Sequence, residues 1–148
     1  MTNQNLKMNF NIFSKLKKTF LKKNIILAYL FGSEATGFKH KESDVDIAVL
    51  LDKKIKQHQY FKKTLEFPKL FEEIFPKRQI HILILNQATP LLKHQVLKEG
   101  RPIFWKNIEE MTKFNLEAVH LWEDTKPIRE IEWTYLKKRI REGKFGEF

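Results

Sequence analysis

The chain has 148 residues, of which 42% are hydrophobic and 31% charged, and it carries a net charge of +10. That length suits one ordinary domain with a true core, and the composition excludes a disordered chain. With no cysteine there are no disulfides, thiolate zinc sites or thiol catalysis, and with no apolar run long enough for a membrane span the expected compartment is the cytoplasm.

The N-terminus, Met1 to Asn9, is polar and lacks the apolar segment of a signal peptide. The positive charge favours anionic partners such as nucleotides, RNA or an acidic protein surface. Its lysines are scattered along the chain, and aromatics do not interleave with them in any RNA-binding module. A solvated lysine-rich surface explains them equally well, so direct nucleic-acid binding is not expected.

Phe10, Phe13, Leu16 and Phe20 recur at helical spacing, predicting an amphipathic first helix that ends near Lys23. Ile25 to Phe31 reads as a short buried strand, and Gly32-Ser33 as a turn into a short helical segment, Ser33 being a helix-capping type. Asp44 to Leu51 alternates: Val45, Ile47, Val49 and Leu51 face the core, and Asp44, Asp46 and Ala48 the other side. Gln57 to Phe75 reads as a helix broken near Pro68. A second alternating strand, Gln79 to Leu85, turns Ile80, Ile82 and Ile84 inward. Pro90 to Glu99 is a helix opened by proline and closed at Gly100, and Pro102 to Trp105 a short edge strand. Two helical stripes separated by Pro127 follow, one through Phe114, Ala118, Leu121 and Trp122, the other through Ile128, Ile131, Tyr135, Leu136 and Ile140. The expected organisation is an α/β core over residues 1–106 and a helical C-terminal extension over 107–148.

The chemistry resides in Gly32-Ser33 and Asp44-Val45-Asp46. Carboxylates at i and i+2 on a strand project to one face, about 7 Å apart at the backbone. They can converge on a magnesium ion, which prefers hard oxygen ligands and shares them with substrate phosphates. A glycine turn before a helix lets a phosphate approach unpaired backbone N–H groups. Each half alone is commonplace. Strand, Gly-Ser, helix, loop and Asp-x-Asp strand in this order is far more specific.

That order resembles the DNA polymerase β-like nucleotidyltransferase superfamily, and within it the minimal nucleotidyltransferase (MNT) antitoxins of HEPN–MNT toxin–antitoxin modules. Gln79 to Trp105, with its Leu85-Asn86 strand ending and Glu99-Gly100, is similar to the second half of that core. Asp124-Thr125-Lys126-Pro127 and Tyr135-Leu136-Lys137-Lys138-Arg139 are similar to the family's tails. The resemblance implies a nucleotidyltransferase fold, a small mixed sheet flanked by helices. It also implies ATP as substrate, Mg²⁺ (or Mn²⁺) as cofactor, and a HEPN ribonuclease toxin as partner, with AMP passed to a tyrosine of that toxin. Gly32 and Ser33 match the phosphate-binding pair, and Asp44 and Asp46 the metal ligands.

Two positions depart from the pattern. Thr36 stands where an arginine is common, and His81 occupies the place of the third carboxylate on the neighbouring strand. A histidine can act as a base near neutrality but is a poor magnesium ligand. No Asp or Glu between Gln79 and Leu85 substitutes for it, and Asp52 lies about 20 Å beyond Asp46 along its strand. A strand histidine with no catalytic part is the plainer reading. Three functions follow: a toxin adenylyltransferase using Asp44, Asp46 and His81, a binding-only antitoxin acting through its helical arm, or a transferase for a small molecule or RNA.

Overall fold

The computed structural model describes residues 14–32 and 44–144. Phe10, Phe13, Ser33, Thr36, Lys39 and Lys41, and with them the expected short helical segment after Gly32, lie outside the described residues. Helix α1, described over residues 14–22, leads into β1 (Ile25–Phe31), and β2 (Val45–Leu51) is the next described element. Next come α2 (Tyr60–Glu66), β3 (Ile80–Ile84), α3 (Pro90–Glu99), β4 (Arg101–Trp105), α4 (Ile108–Asp124) and α5 (Lys126–Arg141). The strands form one sheet in the order β3-β2-β1-β4. The pair β2–β3 is parallel and the two pairs made by β1 are antiparallel, so the sheet is mixed.

β1 is a continuous apolar run because the sheet is covered on both faces. One core holds Val45, Ile47, Val49 and Leu51 of β2 with Leu16 and Phe20 of α1 and Phe67, Phe71, Ile80 and Phe104. The Phe20 ring centroid lies 5.1 Å from those of both Phe71 and Phe104. The second core holds Leu27, Tyr29 and Ala48 against Leu85, Val96 and Phe114. Ala48 is therefore fully buried. On the face it shares with Asp46, Leu85, Val96 and Phe114 cover Ala48, while Asp46 and Leu50 towards the two ends of β2 stay partly exposed.

Local chemistry sets the remaining boundaries. The helix expected over 57–75 is a 3-10 turn (Gln57–Gln59), α2, and a second 3-10 turn (Phe67–Phe71), the change falling at Pro68, whose ring nitrogen has no hydrogen to donate. Thr89 caps α3, its Oγ1 accepting from the Leu92 N–H at 3.2 Å. Gly100 ends that helix in an extended conformation (φ −73°), and a Cβ there would run into the Val96 carbonyl oxygen. Strand β4 is an edge, a place where a residue without an N–H such as Pro102 is tolerated. The Asn86 amide closes the far end of β2, donating to the Leu51 carbonyl and accepting from its N–H, both at 2.8 Å.

Helix α4 is capped by Asn107, which accepts from the Glu110 N–H at 2.8 Å, and it buries Phe114 and Ala118 against the sheet. The Tyr29 hydroxyl donates to Asn115 Oδ1 at 3.2 Å, and burial raises its phenol pKa. At the α4–α5 corner the Arg129 guanidinium lies 3.3 Å from the Trp122 ring centroid and donates to the Trp122 carbonyl at 2.9 Å. His94 stacks on the same indole at 4.3 Å. Beyond the corner α5 buries none of its residues: Ile128, Ile131, Trp133, Tyr135 and Ile140 are all exposed, Ile131 at 70%. Trp122 is a packing residue, while Trp133 and Tyr135 are not. Among the described residues no helix is long and apolar enough to cross a membrane.

Candidate functional site

The end of β1 and the start of β2 lie side by side, with Phe31 paired to Asp46. Gly32 follows in the left-handed region (φ +73°), which favours glycine. It is pressed against the carboxylate: a Cβ built on Gly32 would stand 2.6 Å from Asp46 Oδ2. The glycine turn and the acidic strand, eleven residues apart in sequence, thus form one place. Of the predicted phosphate-binding pair the described structure places Gly32 there, and Ser33 lies outside it.

The parallel register sets Asp46 opposite His81, with Asp44 one step before β2 on the same face. His81 Nε2 donates to Asp44 Oδ2 at 3.0 Å, both side chains being about half exposed. That bond engages Nε2 with the carboxylate and leaves Nδ1 outside it. Asp46 sits deeper. Burial raises its carboxyl pKa, the nearby His81 opposes the rise, and Asp44 adds to it.

Asp44 and Asp46 supply hard carboxylate oxygens suited to magnesium. Among the described residues no three His, Asp or Glu side chains are grouped to hold a metal ion. The donor set therefore fits an ion held by two carboxylates and completed by substrate phosphates and water. His81 is spoken for by Asp44, in keeping with its weakness as a magnesium ligand. The remaining described histidines stand apart from the site: His58 in the 3-10 turn before α2, His94 on Trp122, and His120 on α4. The hydrogen bond between His81 and Asp44 left no signal in the sequence, since nothing in either strand announces a parallel register.

Comparison with known proteins places this arrangement. The family model "Polymerase beta, Nucleotidyltransferase" matches residues 14–109, well over half of the chain. A relative described as protein adenylyltransferase MntA, from Aphanizomenon flos-aquae (strain 2012/KM1/D3), is 33% identical over 114 residues, covering 73% of both chains. The fold is that of a toxin–antitoxin crystal structure with AMP-PNP (TM-score 0.64, 23% identity, 86% of this chain and 97% of that one). It is shared by a chain from a complex of tri-AMPylated Shewanella oneidensis HEPN toxin with MNT antitoxin (TM-score 0.62, 20% identity, 88% and 98%). The family match runs through the strands that bear Gly32, Asp44, Asp46 and His81, and the chain belongs to the polymerase β nucleotidyltransferase family.

Proposed function

We propose that this chain is an MNT antitoxin that transfers AMP from ATP to a tyrosine hydroxyl of a cognate HEPN ribonuclease toxin. The observation that carries the reading is the Gly32 turn packed on Asp46, which brings a phosphate-approach site and a carboxylate pair together. The 33%-identical adenylyltransferase supports the reaction class. The toxin complexes that share the fold support the partner.

In this reading Gly32, with Ser33, accepts the triphosphate, the missing Cβ allowing close approach of backbone to phosphate oxygens. Asp44 and Asp46 would hold magnesium, which when bound would offset phosphate charge and polarise the reacting phosphoryl group. His81, oriented by Asp44 through Nε2, presents Nδ1 as the base that takes the proton of the incoming tyrosine hydroxyl. The tyrosine oxygen forms a bond to the α-phosphorus, the bond to the bridging oxygen breaks, and pyrophosphate leaves with the electron pair. The exposed Ile128–Ile131–Tyr135 stripe of α5 is the surface offered to the toxin.

The role of His81 is tested by comparing transfer rates of His81→Ala and His81→Asp. Loss of a general base is expected to slow His81→Ala by about 10²- to 10⁴-fold, while His81→Asp, restoring an oxygen ligand and acceptor, retains transfer. Unchanged rates in both variants would remove His81 from the mechanism. A binding-only antitoxin is the second reading, favoured by the missing third carboxylate. In that case Asp44→Ala leaves toxin neutralisation intact.

A further inference from the structure

The far end of the sheet holds a cavity of about 400 Å³ that the transfer reaction does not use. It lies where β2 ends: Leu51, paired with Ile25, lines it, five residues and about 17 Å along the strand from Asp46. Its floor is apolar, made by Ile26, Leu50 and Phe114 on one face of the sheet, and Leu51, Ile55 and Tyr60 of the other face line its end. Four lysines surround that floor: Lys53 and Lys56 from the loop after β2, Lys93 from α3 and Lys113 from α4. Among the described residues none of the four makes an ion pair. Two carboxylates, Glu110 and Glu117, also line the cavity on α4, leaving its charge positive.

Other cations gather at the same end. Lys22 and Lys23 precede β1, and Lys106, whose backbone N–H bonds the Ile26 carbonyl, follows β4. Unpaired like charges around a hollow repel one another, so an anion entering it gains attraction and relieves repulsion together.

The geometry points to a second ligand site here, taking a free nucleoside polyphosphate. Phosphates would lie by Lys53, Lys56 and Lys93, the flat base on the apolar Ile26–Leu50–Phe114 floor, and the ribose hydroxyls within reach of the glutamates. A concave, apolar-floored site of this volume suits a small molecule. A single-stranded nucleic acid is held instead along a groove with exposed stacking aromatics, and the aromatic side chains here are buried or half-buried. The site is independent of whether the Asp44–Asp46 end is catalytically active.

The test uses the full chain carrying Asp44→Asn and Asp46→Asn, titrated with mant-ATP in EDTA and followed by fluorescence anisotropy. Saturable one-to-one binding is expected to persist. Adding Lys56→Glu and Lys93→Glu should weaken it about tenfold or more, since each lost contact is a charge-assisted hydrogen bond. The milder Lys56→Gln/Lys93→Gln pair should weaken it by a smaller factor, and circular dichroism of each variant should match that of the parent. Absence of saturable binding in the aspartate double variant would overturn the proposal. So would binding that is indifferent to both lysine pairs, which would place the nucleotide at the Gly32 end.

Discussion

Asp46→Asn is expected to lower AMP transfer about a thousandfold while raising the stability of the free protein at neutral pH. The catalytic loss follows from removing one of the two carboxylates that, among the described residues, could hold the metal, whose charge stabilisation of the transition state amounts to several kcal/mol. The gain in stability follows from the cost of keeping that carboxylate charged. Asp46 is partly buried, faces Asp44, and has a folded-state pKa above the ordinary carboxylate value, burial being the main cause. A carboxyl whose pKa is raised on folding contributes stability that is fully present below the unfolded pKa, about 3.9, and is lost as pH rises through the folded pKa. The wild-type chain and Asp46→Asn should therefore unfold alike in acid and diverge as pH rises, with the asparagine variant the more stable. Urea denaturation at several pH values measures this directly. A variant less stable at neutral pH would show that the carboxylate is a net structural contributor.

Gly32→Ala is expected to damage both fold and function. A left-handed conformation costs a residue with a Cβ roughly 1–2 kcal/mol. The methyl group would also meet Asp46 Oδ2 at 2.6 Å, where no ordinary contact fits. Either the turn or the Asp46 side chain must move, and both belong to the proposed site. Misplacing a positioned group by about 1 Å costs on the order of a hundredfold in rate. Transfer should fall by about that factor, and chemical denaturation should show a loss of about 1–2 kcal/mol. A variant of normal stability and rate would mean that the turn relaxes freely and does not position Asp46.

Alternation along the chain made much of the fold legible. Val45, Ile47, Val49 and Leu51 against Asp44 and Asp46 identified β2 and its inner face, and Pro90 with Gly100 marked both ends of α3. Pro68 located the change of helix type. Periodicity does not say what covers the second face of a sheet, so Ala48 read as outward although α3 and α4 bury it. The α5 stripe had the same helical spacing as the α4 stripe. Phe114 and Ala118 found the sheet to pack on, whereas Ile131 and Tyr135 are exposed. Spacing announces an apolar face and is silent about its partner.

The site was legible in its residue types and not in its contacts. Gly32 and the aspartates stood out because small-residue turns and Asp-x-Asp strands have specific chemical uses. The closeness of Gly32 to Asp46 depends on the β1–β2 pairing, and the hydrogen bond from His81 to Asp44 on the β2–β3 register. Lys53, Lys56, Lys93 and Lys113 read as scattered surface charge, because only the fold brings three separate elements around one hollow.

Intact-mass spectrometry of the cognate HEPN-type protein, incubated with this chain, ATP and Mg²⁺, separates AMP transfer from simple binding, with an Asp44→Ala/Asp46→Ala chain as control. A mass gain of one or more AMP units on the toxin, absent with the control, is the expected result. A toxin that stays unmodified while still forming a stable complex would contradict it, and would make the chain a binding antitoxin on a nucleotidyltransferase fold.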